Sequence, residues 1–267
     1  MKCVSVQLHP KANIEEASKE LELLGGEVLY SEEENSHITI YLKIEQDFDL
    51  KVKSPHIKSI LPYKLPEINW EEQYENHGLN YFDGLVHADL KDFGCLNPLY
   101  NPIKIQPGPG FGDLSHPTTT LTIKLMNGHL SNSQVLDIGS GSGILSFAAI
   151  SMGATSVFGI DIDEDAISHS KLNSRLNQME EEASFGLPQE FTAPQNQKLT
   201  ILMNMIQKEQ KEAWESLKSI HKIPGECFTS GILKSGKKEY LKWTKSLGWK
   251  LLSTLESDGW LAFHFTR

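Results

Sequence analysis

The residues best suited to chemistry lie in one acidic, glycine-rich run, Asp137-Ile138-Gly139-Ser140-Gly141-Ser142-Gly143. Glycine at alternate positions lets the backbone bend sharply and lets a ligand rest directly on the main chain. A helix opening after such a bend presents unpaired N–H groups. A dinucleotide fingerprint needs a third glycine three residues after the second, and Ile144 stands there. No Walker lysine follows. What remains is an acid, Asp137, ahead of Gly139 and Gly141, which suits a ligand with an ammonium group and a sugar rather than a pyrophosphate. Asp161 lies 18 residues beyond Gly143, at the end of a second apolar run. An acid at that place in an open α/β sheet accepts hydrogen bonds from both ribose hydroxyls. Its charge makes that fork stronger than neutral pairs. Together these residues predict a nucleoside with an unmodified ribose, and S-adenosylmethionine meets that description.

Such residues need rigid elements behind them, and residues 134–267 supply an alternating pattern. Val135-Leu136-Asp137-Ile138 reads as a short strand feeding the glycine bend, and Ile144 to Met152 as an apolar helix stopped by Gly153. Ser156 to Ile160 is a second strand and Glu164 to Asn177 a helix. Leu199 to Met203 and Glu209 to Ile220 form another strand–helix pair, as do Glu226 to Ile232 and Lys237 to Leu247. The order implies an α/β fold with a doubly wound, Rossmann-like parallel sheet. Lys250 to Glu256 and Trp260 to Phe265, joined by Ser257-Asp258-Gly259, read as a hairpin that brings an antiparallel strand to one side of that sheet.

The first 62 residues read differently. Val4, Val6 and Leu8 alternate with polar residues, and Asn13 caps a helix carrying Ile14, Ala17, Leu21 and Leu24. Val28 to Tyr30 and Ile38 to Leu42 are two more strands, with a polar turn at Glu32 to Ser36 between them. This predicts a small α+β domain, βαββ and ferredoxin-like, over residues 1–62, suited to recognition or packing. Residues from about 44 to 68, with Pro55, Pro62 and Pro66, read as the module's tail and a linker. The linker continues over residues 63–98, with a connecting helix from Asn69 to near Gly78, and residues 99–267 form the larger domain. A Pro/Gly-rich stretch, Asn101 to Gly112, precedes His116-Pro117-Thr118-Thr119, where Pro117 suits the first turn of a helix.

Composition narrows the function. The 267 residues carry 25 Lys+Arg against 35 Asp+Glu, a net charge of −10. That balance argues against a protein that wraps bare nucleic acid. No apolar run approaches the roughly 18 residues of a membrane span, and Met1 to Pro10 lacks an export signal. Cys3, Cys95 and Cys227 are too far apart for a disulfide framework and fit a reducing cytoplasm. The ten histidines show no metal-ligand spacing, so no metal site is expected.

Three stretches resemble the PrmA family: Val135 to Leu145 with Gly159 to Asp163; Pro107-Gly108-Pro109-Gly110-Phe111-Gly112 with His116-Pro117-Thr118-Thr119; and Ser230-Gly231-Ile232-Leu233 ahead of the hairpin. The likeness covers residues from about 100 to 267. It implies a class I methyltransferase fold using S-adenosylmethionine, with amino groups of the eleventh large-subunit ribosomal protein as acceptor. It implies cofactor contacts at Thr119, Gly139, Asp161 and Asn204, and a place for Asn204 where methyl group and acceptor meet. Asp137 and Gly141 join the cofactor set from the glycine run itself, and Asn204 is the expected catalytic residue. Three departures stand out: Asp113-Leu114-Ser115 replaces Thr-Gly-Thr, Met203-Asn204-Met205-Ile206 replaces Ala-Asn-Ile-Leu, and Lys198-Leu199-Thr200 lacks the usual acid. These leave two alternatives open, a non-catalytic cofactor- or ribosome-binding relative and a methyltransferase acting on another protein or a small molecule. The implied setting is a cytoplasmic monomer with a ribosomal protein as partner, and neither free DNA nor membrane. His116 reads as a structural residue ahead of a helix-starting proline.

Overall fold

The computed structural model describes the chain except residues 1, 11, 35–36, 45–47, 49–51, 53, 65–68, 78–79 and 195–196. It divides into two compact units, Met1–Ile68 and Asn69–Arg267.

The first unit runs β1 (Lys2–Leu8), α1 (Ile14–Leu23), β2 (Gly26–Glu34), β3 (His37–Ile44) and β4 (Ile57–Tyr63). The strands pair antiparallel in the order β2-β3-β1-β4. Alternation decides which face is core: Val4, Val6 and Leu8 bury against Ile40, Leu42 and the Ala17 and Leu21 stripe of α1. The Asn13 side chain caps α1 by accepting from the Glu15 and Glu16 N–H groups, as expected. Two expectations fail here. Glu32 to Glu34, read as turn, extend β2, because cross-strand pairing with His37 to Thr39 outweighs the weak strand preference of glutamate; Asn35 and Ser36 lie outside the described residues. The stretch read as tail and linker carries β4, whose Pro62 is tolerated because β4 is an edge strand.

The second unit begins with α2 (Trp70–His77), where a connecting helix is expected, and a small antiparallel sheet that the sequence pattern does not reveal: β5 (Tyr81–Phe82), β6 (Leu85–Ala88) and β7 (Ile103–Ile105). The expected helix end at Gly78 lies outside the described residues. Then follow α3 (Pro117–Met126), β8 (Gln134–Ile138), α4 (Ile144–Ser151), β9 (Ser156–Ile160), α5 (Glu164–Leu176), β10 (Ala183–Gly186), β11 (Thr200–Asn204), α6 (Gln207–Ser216), β12 (Glu226–Leu233), α7 (Lys237–Ser246), β13 (Lys250–Ser257) and β14 (Trp260–Thr266). Helix α6 stops at Ser216, and Lys218–Ile220 form a separate 3-10 turn rather than its last turn.

The seven-stranded sheet has the order β10-β9-β8-β11-β12-β14-β13. Strands β8 to β12 are parallel, and β14 is antiparallel to both its neighbours. The antiparallel strand is therefore enclosed between β12 and β13 rather than set at the sheet's edge. Asp258 and Gly259 at φ +50° and +77° make the two-residue hairpin turn that Asp-Gly favours. Both faces of the sheet are covered, so the central strands are apolar on both sides. On β11, Leu202 belongs to the core beneath α3 and α4, while Ile201 and Met203 join Trp214 of α6 and Tyr240 of α7 on the other face. Trp249 packs in that second core, with Trp243 against it.

Candidate active site

The glycine bend leaves β8 at Ile138 and enters α4 at Ile144, with Gly139, Gly141 and Gly143 at φ +72°, +54° and +85°. Side chains rarely adopt such angles. At Gly141 a Cβ would also lie 2.4 Å from the Phe111 carbonyl oxygen. That absence of a side chain admits a second loop, Pro107 to Gly112, against the bend. The Ser142 N–H donates to Phe111 O at 2.9 Å, and the Ser142 hydroxyl donates to Gly112 O at 2.8 Å.

Helix α5 holds the segment before the second loop through three residues one turn apart, and Asn173 alone among them also reaches the bend. His169 Nδ1 accepts from the Gly110 N–H at 3.0 Å, and Nε2 donates to Gln106 O at 2.7 Å, which sets the tautomer. Burial pushes the His169 pKa down, against the weaker upward pull of the Gln106 carbonyl, and keeps Nδ1 an acceptor. Asn173 accepts from the Gln106 N–H at 2.9 Å and donates to Ser142 O at 3.0 Å. Asn177 accepts from the Lys104 N–H and donates to its carbonyl. Neither the glycine spacing nor the family motifs point to His169, Asn173 or Asn177. The signal was a His-x-x-x-Asn-x-x-x-Asn stripe, a polar line at helical spacing on a face that buries His169 and Asn173.

Asp161 follows β9 immediately, where it is expected. Its Oδ2 accepts from the Gly141 N–H at 3.0 Å and its Oδ1 from the Asp163 N–H at 3.1 Å. Each carboxylate oxygen keeps further acceptor capacity. Asp137 takes a different place. It is 1% exposed, and its Oδ2 accepts from the Ser146 hydroxyl of α4 at 2.6 Å, while Oδ1 has no partner. Burial pushes its carboxyl up to about 7; the Ser146 bond opposes this and the Asp161 charge adds to it. Strand alternation turns Asp137 toward α4, and it is not among the residues lining the cavity below.

The bend, the second loop and the start of α3 enclose a cavity of about 760 Å³. Its walls include Phe111, Gly139, Gly141, Asp161, Asn204 and Trp260. Pockets that bury small molecules span about 300–1,000 Å³. Helix α3 begins with Pro117 in its first turn, and His116 caps it by accepting the Thr118 N–H at 3.4 Å and meeting the Thr118 hydroxyl at 2.8 Å. The imidazole also stands edge-on to Trp260, with ring centroids 4.8 Å apart. Burial pushes its pKa down, against the pull of Asp113, so it is a neutral capping group.

Thr118 faces the cavity, whereas Thr119 is fully buried behind it. The Thr119 hydroxyl oxygen accepts from Asn204 Nδ2 at 3.3 Å. Asn204 ends β11 on the cavity wall, and its buried Oδ1 has no hydrogen-bond partner. The structure thus brings Gly139, Gly141, Asp161 and Asn204 to one cavity, with Thr119 behind Asn204 and Asp137 beneath the bend. A buried acceptor left open on an apolar wall, a bare glycine floor and a carboxylate at the strand end fit a nucleoside that presents hydroxyls and brings a nitrogen donor beside it. The departing segment Asp113 to Ser115 closes on itself: Asp113 accepts from the Ser115 N–H at 3.0 Å and from its hydroxyl. None of its three residues lines the cavity.

Sequence spacing gave no metal-ligand set, yet the fold gathers His129, Glu226 and His264 away from these walls.

A model of the family described as ribosomal protein L11 methyltransferase (PrmA) matches residues 3–267. The chain is 30% identical over 216 residues to a ribosomal protein L11 methyltransferase of Shewanella woodyi, covering 74% of this chain and 71% of that protein. It is 38% identical over 165 residues to one of Prochlorococcus marinus, covering 60% of this chain and 55% of that protein. Among solved structures, the fold is similar to a ribosomal protein L11 methylase from Lactobacillus delbrueckii subsp. bulgaricus, with a TM-score of 0.52 at 24% identity over 62% of this chain and 84% of that one.

Proposed function

Because the chain belongs to the ribosomal protein L11 methyltransferase (PrmA) family, we propose that it moves methyl groups from S-adenosylmethionine to amino groups of ribosomal protein L11. The observation that carries this reading is the unpartnered Asn204 Oδ1, buried on the wall of a cavity floored by Gly139 and Gly141 and edged by Asp161. When bound, S-adenosylmethionine supplies a methyl group already activated on a sulfonium for in-line displacement. The protein has then to bind, align and exclude water.

In this reading Asp161 takes the ribose hydroxyls with the acceptor capacity its two backbone bonds leave. The glycine bend and the Pro107 to Gly112 loop form the floor and rim. Thr119 holds the Asn204 amide, and Asn204 Oδ1 accepts an N–H of the incoming amine and aims the nitrogen lone pair. A lysine amine must first be neutral, which at pH 7 costs about 4.6 kcal/mol; an α-amine costs about 1.0–1.4 kcal/mol. Desolvation in the cavity lowers that cost, so no strong base is needed, and the proton passes to water. Asp137 supports the bend through Ser146.

Recognition of the acceptor falls to residues 1–62, whose strand order β2-β3-β1-β4 suits a ferredoxin-like sheet. Of residues 63–98, expected to connect, those from Asn69 on fold with the larger unit, and residues 99–267 hold the cofactor and carry out transfer. A ribosomal acceptor places the work in the cytoplasm, by a monomer that needs neither free DNA nor membrane. Among the described residues no helix is long and apolar enough to cross a membrane. The Asp113 to Ser115 departure does not favour a non-catalytic relative, because it leaves the cavity walls untouched.

The test is incubation of the purified chain with S-adenosylmethionine and purified ribosomal protein L11, read by intact-protein mass spectrometry. Mass increments of whole methyl groups on that protein are expected. An unmodified acceptor, under conditions where S-adenosylhomocysteine binds, would overturn the assignment of substrate.

A further inference from the structure

Three side chains that methyl transfer leaves unused converge at the end of the sheet where β12 begins. His129 lies between α3 and β8, Glu226 opens β12, and His264 lies on β14 opposite Phe228 of β12. Glu226 Oε1 is 3.4 Å from His264 Nε2, and Glu226 Oε2 is 3.6 Å from His129 Nδ1. One ligand atom from each residue lies within 4.8 Å of the other two. The rings are held in place: His264 stacks on Phe228 at 4.3 Å, and His129 stands edge-on to His264 at 4.5 Å. His264 is only 3% exposed, and its Nε2, 3.4 Å from the Glu226 carboxylate, makes no well-aligned hydrogen bond. A buried polar atom so poorly paired, facing a carboxylate and a second imidazole, keeps a lone pair free for a ligand.

We propose that His129, Glu226 and His264 bind a zinc ion through His129 Nδ1, a Glu226 carboxylate oxygen and His264 Nε2. Two imidazoles and one carboxylate are a zinc donor set. Calcium and magnesium take all-oxygen shells, and the soft thiolates that select copper(I) are absent from the trio. Tetrahedral zinc with bonds of about 2.0–2.1 Å sets its donor atoms roughly 3.3 Å apart. The two separations at Glu226 are already close to that. The wider gap between the histidines closes by rotation of His129, whose side chain is 42% exposed. The same open side admits water as the fourth ligand.

The site lies at the opposite end of β12 from Gly231, which lines the methyl-transfer cavity. Its role is therefore structural. His129 stands three residues past the last residue of α3, the helix that bears Thr118 and Thr119, and the ion ties that end to β12 and β14. The inference stands whether or not the chain methylates a ribosomal protein.

The test uses the full chain without an affinity tag, stripped with a chelator and titrated with zinc alone. One equivalent should bind. At about 100 times the dissociation constant, zinc should raise the melting temperature by roughly 5–10 °C, and magnesium should not. Cobalt(II) should give the intense visible bands of a tetrahedral site without thiolate charge transfer. His129→Ala, at an exposed position, and Glu226→Gln should each weaken zinc binding at least roughly 10-fold. Absence of saturable binding would show that the three residues are an ion pair only and overturn the proposal. So would equal affinity in both variants, because the metal would then sit elsewhere.

Discussion

In the proposed role of Asn204, Asn204→Ala should separate methyl transfer from folding and from cofactor binding. Asn204 Oδ1 is buried and unpartnered, and its amide nitrogen makes one long bond of 3.3 Å to Thr119. A buried acceptor left open costs about 1–3 kcal/mol. The free protein carries that cost, and under the proposal it is relieved when an amine N–H reaches the oxygen. Removing the side chain removes this relief, which corresponds to a loss of roughly 5- to 150-fold in the rate of transfer. The same truncation deletes an unsatisfied group and a weak bond, so stability should change by less than about 1 kcal/mol although β11 is a central strand. Cofactor affinity should change by less than about threefold, since the floor and Asp161 are untouched. Single-turnover methyl transfer, calorimetric binding of S-adenosylhomocysteine and urea unfolding on one preparation read all three quantities. An equal fall in transfer and in cofactor binding would refute the catalytic role and make Asn204 a cofactor ligand.

Three further outcomes follow from the same geometry. Thr119→Val keeps the shape but not the hydroxyl that holds Asn204, so it should slow transfer up to about 10-fold, and the Thr119→Val/Asn204→Ala double variant should be no slower than Asn204→Ala alone; additive losses in such a cycle would mean that Thr119 acts directly. Asp137 has a folded pKa of about 7 against an ordinary 3.8, so the folded state binds the extra proton between those values and wild-type stability should decline as pH rises from about 4 to 7. Asp137→Asn should lack that decline and gain on wild type by about 4 kcal/mol across the window, and parallel urea curves for the two proteins at every pH would contradict the burial argument. His169→Ala removes the partners of the Gly110 N–H and the Gln106 carbonyl and should cost about 2–4 kcal/mol while speeding amide exchange at Gly110. Because burial lowers the His169 pKa below 6.5, the unfolded chain takes up the proton first. Wild-type stability should therefore fall as pH drops below 6.5, a slope the variant reduces, and equal slopes would count against this role.

The parts of the site that were legible are those in which a backbone demand writes itself into one short stretch. A bend needing positive φ shows as Gly139, Gly141 and Gly143, a strand end as Asp161 after Gly159-Ile160, and a tight hairpin as Asp258-Gly259. Features that depend on rotation about an element's axis were not legible. Thr118 and Thr119 are adjacent in sequence, but only the turn of α3 decides that the first faces the cavity and the second lies behind Asn204. Asp137 precedes the bend, yet strand alternation sends its carboxylate to Ser146. Short or interrupted strands also escaped: β10 has four residues, β5 has two, and β4 contains a proline. The His129, Glu226 and His264 trio was invisible because it is assembled from a loop and two strands, which no linear spacing encodes.

The central claim is that Asp161 grips the ribose of S-adenosylmethionine above the glycine bend. Calorimetric titration with S-adenosylhomocysteine on the wild-type chain and on Asp161→Ala tests it most directly, with a melting curve on each to show that both are folded. One equivalent should bind the wild type, and loss of two charge-assisted bonds, at about 1.5–3 kcal/mol each, should weaken binding by at least roughly 150-fold. Equal affinity in the two folded proteins, or no binding to either, would contradict the account.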